Sequence, residues 1–372
     1  MTERFTEATG TSSIGGVERH ATRSLAGLIV PILLVGAVLA LVPLWLGDSR
    51  VLMGVAVLGL AFACYTIGFN LIFGSTGQLF LCVGALAGIG GYGAAILADR
   101  VGLPVVISIL AATVLASLTG GLLSWIAVRR SLGVIFTGIV TLIFALAFEN
   151  LLLGLSSITG GDSGIQIQAG TDTFLRERIP PYYLMLALVI MFLLVHGLMR
   201  RSHVGWAFRA LRDDEVAAEL AGVDVARYRV YAALTGAGIL GLTGAIYALT
   251  EGRISPTSFG FAQVDVVVVV MLAFGGIGTL FGPILGAVTF TAIDEVLIDL
   301  GQLREFVYGA LIIVLFLWLP RGIIPTLEPV LRRRTPPSST VAGSGHDRLE
   351  SGGDPAHGPA DIEGRTSPEM GA

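Results

Sequence analysis

Apolar runs of about 20 residues recur along the chain, at Leu25–Leu46, Val51–Phe73, Leu79–Ala98, Leu103–Val128, Gly133–Gly154, Tyr182–Met199 and Val230–Thr250. A helix of about that length crosses the hydrocarbon core of a bilayer. Only a backbone that satisfies its own polar groups is tolerated there, so such runs must be helices. The strands of a membrane barrel would instead read as short alternating segments. The sequence therefore predicts an all-α polytopic integral membrane helical bundle. The region Val264–Leu300 is too long for one span and is interrupted by Gly275, Gly276, Gly278, Gly282 and Pro283. This predicts two segments meeting at a break. A last span ends near Pro320. The count is ten, or eight if the glycine-interrupted segments are re-entrant.

Charge distribution sets orientation and boundaries. Only 13% of residues are charged, against about one quarter in soluble proteins, and every basic side chain except histidine is an arginine. Arginines near span ends accumulate on the cytoplasmic side. With the N-terminus inside, that side receives Arg4, Arg19, Arg23, Arg129, Arg130, Arg200, Arg201, Arg209, Arg212, Arg227, Arg229, Arg321 and the run Arg332–Arg334. The other side receives Arg50, Arg100, Arg176, Arg178, Arg253 and Arg304. Residues 1–24 read as a polar cytoplasmic segment and 25–320 as the membrane domain. Residues 321–372 form a cytoplasmic tail, whose Pro, Ser, Gly and acidic residues predict disorder. The first apolar run exceeds the roughly 7–15 residues of a cleavable signal core, so it is retained as a span. Leu155–Pro181 is the longest external loop and carries TGGDSGI at Thr159–Ile165.

Several chemistries are excluded. Cys64 and Cys82 lack metal-ligand spacing and read as small buried hydrophobes, so neither a metal site nor a disulfide is predicted. The histidines are scattered and no HExxH occurs, so no catalytic residue is assigned. Without lysine there is no GxxxxGK[ST] phosphate loop, and the chain itself binds no nucleotide.

The one long charged stretch between apolar runs is the loop Arg200–Arg229. Asp213 and Asp214 can cap a short helix, Glu215–Ala221, which Gly222 ends in a left-handed conformation; Asp224 can cap the helix that follows. Val216 and Leu220 share an apolar stripe, and Glu215 and Glu219 share another face. So short a helix is marginal alone and calls for a partner. The competing reading is an amphipathic turn resting on lipid headgroups.

Two further patterns bear on a pathway. FGSTGQLF at Phe73–Phe80 is echoed by FGGIGTLF at Phe274–Phe281. Paired glycine-interrupted segments in two halves of a transporter point to broken helices beside the transport path. That selects Gly74, Gly77, Gln78, Gly275, Gly276, Gly278 and Pro283. With 50 glycines in the chain, coincidence is the rival explanation. Gly84, Gly88, Gly236, Gly241 and Gly244 read as small residues that let helices approach. Glu149 lies near the outer end of its span and is expected to line an outer mouth; Asp265, Asp294, Glu295 and Asp299 are expected to be interfacial or paired.

ALRDDEVAAELAGVDVARYR resembles the cytoplasmic coupling loop of ATP-binding-cassette permeases, with its acid-Ala-Ala core at Glu215, Ala217 and Ala218 and its glycine at Gly222. The RDDE form at Arg212–Glu215 looks like the M-type (LivM-like) permease subunits of branched-chain amino-acid importers. GQLFLCVGALAGIGGYGAA (Gly77–Ala95), FALAFEN (Phe144–Asn150), TGGDSGI and FGGIGTLFGPILGA (Phe274–Ala287) are similar to that family in order and spacing. Cys82-Val83 departs from the family's usual Gly-His. The resemblance implies a permease subunit in the cytoplasmic membrane of a prokaryote. It would pair with a second permease subunit, two cytoplasmic ATPase subunits that bind ATP and Mg, and an extracytoplasmic solute-binding protein. This chain would bind no cofactor and no nucleic acid. Arg212, Asp213, Asp214, Glu215, Ala217, Ala218 and Gly222 would form the ATPase-coupling element. The alternative is an ion-coupled secondary transporter whose intramembrane carboxylates bind the ion.

Overall fold

Leu, Val, Ile and Ala dominate the long helices, whose backbone groups pair within each helix. The computed structural model describes residues 14–46, 49–168, 177, 179–297, 309, 310, 313 and 322–324. The polar segment before Ile14, Asp299, the last span near Pro320 and the C-terminal tail lie outside those residues.

In chain order the helices are α1 (Ile14–Ala40), α2 (Val42–Leu46), α3 (Arg50–Phe69), α4 (Val83–Asp99), α5 (Val105–Arg129), α6 (Val134–Gly154) and α7 (Ser156–Thr159). They continue as α8 (Pro180–Arg201), α9 (His203–Asp213), α10 (Glu215–Leu220), α11 (Val225–Glu251), α12 (Val266–Gly275) and α13 (Gly282–Leu297). Two strands, β1 (Ile165–Gln166) and β2 (Arg253–Ile254), pair antiparallel with Ile165 opposite Ile254. Among the described residues six helical stretches are long and apolar enough to cross a membrane: Gly27–Trp45, Arg50–Gly74, Val105–Arg129, Val134–Gly154, Pro180–Arg201 and Val225–Glu251.

The centre of the bundle is α11, which packs against α3, α4 and α5. Of its most apolar stretch 72% is buried, against 22% for α6, so α11 faces protein while α6 keeps most of its surface for surroundings outside this chain. Small residues make the central crossing possible. A methyl added to Gly90 would overlap the carbonyl of Gly241, and one added to Gly244 would overlap that of Ala87, so α4 and α11 pass backbone to backbone. Gly241 and Gly244 thus play the close-approach role expected of them.

Two elements depart from the simple reading and one bears it out. The helix expected from Leu79 begins only at Val83; Gly77–Cys82 is neither helix nor strand, with Gly77 at φ +71°. The long region after Val264 does divide in two: a π-helical turn, Phe261–Asp265, leads into α12, and the chain reverses at Gly276–Phe281 into α13. Close approaches of Gly275 to Gly282 and of Gly286 to Met271 show that α12 and α13 form a tight antiparallel hairpin. Finally, α1 already begins at Ile14, inside the segment expected to be merely polar. At the end opposite the charged loop, β1 ties the loop after α6 to the end of α11, while Arg100 donates to Ser157 O at 2.9 Å and Arg253 to Ser163 O at 2.9 Å.

The backbone contact at the central crossing predicts a large effect from a small change. Gly244→Ala is expected to cost on the order of 1–3 kcal/mol by overpacking. Thermal unfolding of the purified chain in detergent checks it, with Gly54→Ala, which meets nothing within 4 Å, as the neutral comparison.

Candidate functional site: the charged loop and the glycine breaks

The charged loop is built as two short helices. Val204, Ala207, Phe208 and Leu211 recur at helical spacing and fold α9 against the bundle, with Ala207, Phe208 and Leu211 buried. That spacing was legible in the sequence, but α9 was not among the elements expected. The next turn is capped by Asp214, whose Oδ1 accepts from the backbone N–H of Val216 at 2.9 Å and of Ala217 at 3.0 Å. Asp213, expected to share the capping, is instead the last residue of α9. Helix α10 stops at Leu220, one residue short of expectation. Gly222 takes φ +85°, its N–H donates to Glu219 O at 2.9 Å, and Val223 N–H donates to Ala218 O at 3.0 Å. These are the paired bonds of a left-handed helix stop. Asp224 then caps α11 by accepting from Arg227 N–H at 3.0 Å.

Helix α10 is fastened to α11 by a two-pronged ion pair. Arg229 Nη1 and Nη2 donate to Glu215 Oε1 and Oε2 at 2.7 and 2.8 Å. The arginine side chain is 13% exposed and the glutamate 47%, so one partner is withdrawn from water and the other is not, and the two-pronged geometry fixes their orientation. Ala218 is buried toward the chain itself, whereas Ala217 is exposed and Val216 and Leu220 stand out at 66% and 84% exposure. The apolar stripe thus points away from this chain.

The two echoing glycine segments meet. After α3 the helix widens into a π-helical turn, Asn70–Gly74. Asn70 is fully buried; its Nδ2 donates to Thr279 O at 2.8 Å and its Oδ1 accepts from Gly278 N–H at 2.8 Å. Gly276 and Gly278 sit at φ +113° and +74°, and Pro283 is the second residue of α13. A methyl on Gly74 would come within 2.9 Å of Gly278 N, and one on Gly278 would overlap the guanidinium of Arg212. Arg212 also donates to Gly74 O at 3.4 Å. The last turn of α9 therefore touches both breaks at once.

Beside it, a cleft of about 430 Å³ is lined by Gly77, Gln78, Thr137, Glu215, Glu219 and Arg229, so the first break and α10 share one cavity. Gln78 is buried and accepts from Ser124 Oγ at 2.9 Å.

Deeper in the bundle lies a residue whose importance the sequence did not reveal. Asp265 is near the end of its helix, as expected, but that end is in the interior rather than at an interface, and Asp265 is fully buried. Its Oδ1 accepts from Val83 N–H at 2.5 Å and its Oδ2 from Gly84 N–H at 3.1 Å. It thereby caps α4 from across the bundle. Glu149 stands apart from the charged loop: its Oε1 would be 3.0 Å from a methyl on Gly260, at the entrance to the turn Phe261–Asp265.

Comparison with known proteins places these features in context. A family described as "Branched-chain amino acid transport system / permease component" matches residues 51–316. The chain is 30% identical over 310 residues to the high-affinity branched-chain amino acid transport system permease protein LivM of Escherichia coli, covering 76% of this chain and 72% of that one. To the LivM protein of Salmonella typhimurium it is 30% identical over 313 residues, covering 77% and 73%. A probable ABC transporter permease protein of E. coli, YphD, is 27% identical over 136 residues, 35% of this chain and 41% of its own. No solved structure matches the chain.

The capping geometry predicts a graded series at Asp265. Asp265→Ala orphans two buried amides at about 1–3 kcal/mol each, whereas Asp265→Asn keeps one acceptor and is expected to lose about half as much. Thermal unfolding of the purified chain distinguishes them, and equal losses would remove the capping role.

Proposed function

The chain belongs to the branched-chain amino acid transport system permease family, and on that premise we propose that it is the membrane-spanning subunit of an ATP-driven importer of branched-chain or related amino acids. Its partners are a second permease subunit, two cytoplasmic ATPase subunits that bind ATP and Mg, and an extracytoplasmic solute-binding protein. It sits in the cytoplasmic membrane of a prokaryote with the charged loop inside.

The observation that carries this reading is α10. Capped by Asp214, stopped at Gly222 and clamped to α11 through Glu215–Arg229, it is a rigid knob. Its exposed Val216 and Leu220 form an apolar face that this chain leaves uncovered. An ATPase groove seated on that face would move α10, and the ion pair would pass the motion to the central helix of the bundle. Asp265 bears against the ion-coupled alternative, because both its oxygens are engaged in holding α4.

Val216→Asp combined with Leu220→Asp tests this directly. Both side chains are exposed, so the fold is retained, while ATPase co-purification and ATP-driven uptake in proteoliposomes fall to background. Gly222→Val forces a β-branched residue into the left-handed region at a cost of roughly 1–2 kcal/mol; it is expected to leave ATP hydrolysis running with uptake lost. Unchanged co-purification in the double variant, or ion-driven accumulation by the chain alone, would overturn the proposal.

A further inference from the structure

Between the last turn of α8, helix α9 and the two glycine breaks lies a pocket of about 50 Å³. His196, Arg200, Arg209 and Arg212 line it together with Gly74 and Gly278, and among the described residues no carboxylate does. His196 is 1% exposed and its Nδ1 is buried without a hydrogen-bond partner. Arg209 and Arg212 bring two like charges to one small space, and a buried ring nitrogen left unpaired costs about 1–3 kcal/mol. One occupant removes both penalties: an anion that accepts several hydrogen bonds. A water needs roughly 10–15 Å³ of such space, so the pocket admits a group of a few waters' bulk, the size of a tetrahedral oxyanion.

We propose that this pocket is a phosphate-oxyanion site, with His196 at its floor and the forked guanidinium groups of Arg209 and Arg212 at its rim. Planar guanidinium groups match oxyanions with paired, charge-assisted hydrogen bonds. Trp206, 68% exposed, is stacked under Arg209 at 4.4 Å, and exposed tryptophan marks the depth of lipid headgroups. The oxyanion comes either from an anionic phospholipid headgroup or from free phosphate. Its occupancy acts on the breaks, because Arg212 binds Gly74 O and rests on Gly278. The site does not depend on whether an ATPase docks on α10.

The test uses the full-length chain in phosphatidylcholine nanodiscs, titrated with inorganic phosphate at constant ionic strength. Trp206 fluorescence is the readout, with Trp206→Phe subtracting the other tryptophans. A saturable response is expected. Arg209→Gln and Arg212→Gln should weaken it about 10-fold each, the order expected for losing a charge-assisted pair. Arg129→Gln, which removes a cation stacked on Trp125 at 5.1 Å outside the pocket, should not. A second arm uses nanodiscs containing phosphatidylglycerol and native mass spectrometry. Lipid retained by the parent chain but lost from Arg209→Gln and Arg212→Gln assigns the headgroup as the source; a phosphate response with no such retention assigns the free ion. Absence of both, or a response indifferent to Arg209 and Arg212, overturns the site. Arg209 is exposed, so its variant reports on binding even where Arg212→Gln fails to fold.

Discussion

Everything in this bundle answers to one constraint: in hydrocarbon, each backbone amide and carbonyl must find a partner inside the protein. Continuous helices meet it on their own. The chain nevertheless breaks its helices at Gly77–Cys82 and Gly276–Phe281, and each break is stabilised by a buried polar side chain brought from elsewhere. Asp265 accepts from the first amides of α4, and Asn70 both donates to and accepts from the turn between α12 and α13. These are long-range bonds, spanning 182 and 209 positions in sequence, so each break is stable only in the assembled bundle. The carboxylate that a hydropathy reading treats as a liability is what permits a helix to start in the interior of the bundle.

The same constraint separates the two ends of the molecule. At one end, β1 and β2 and the arginine contacts of the loop after α6 join the C-terminal ends of α4 and α11. At the other, α9 and α10 are held by side chains: a cap, a two-pronged ion pair and a single guanidinium contact. The first end is held by a strand pair together with side chains, the second by side chains together with the backbone bonds that stop α10 at Gly222.

Much of this was legible in the sequence because it is local. The long spans follow from apolar runs, and the Asp214 cap and Gly222 stop follow from the spacing of an acid, a short helical stretch and a glycine. The division of Val264–Leu300 follows from its glycines. What was hidden is non-local. Nothing adjacent to Asp265 says that its partners are Val83 and Gly84, and because that cap is distant, the start of α4 was misplaced at Leu79. Asp213 and Asp214 are equivalent as residue types; only the docking of α9, with Leu211 packed beside Ala207 and Val225 and Phe208 against Tyr228, decides which of them ends one helix and which starts the next. Ala218 was legible as part of an acid-Ala-Ala pattern, yet which alanine faces inward depends on where α9 lies.

The echo between Phe73–Phe80 and Phe274–Phe281 gains a physical meaning from its geometry. Similar strings of glycines arise readily in a chain this rich in them, so resemblance alone is weak. Here the two copies touch: Gly74 abuts Gly278, Asn70 spans from one to the other, and Arg212 reaches both. Side chains larger than hydrogen at Gly74 or Gly278 would collide with that arrangement, so glycine at both positions follows from the contact itself. A displacement of α9 cannot then disturb one break and spare the other. Because α10 packs on α9 and is clamped to α11, it is joined to the paired breaks through Arg212 and to the central helix through Arg229.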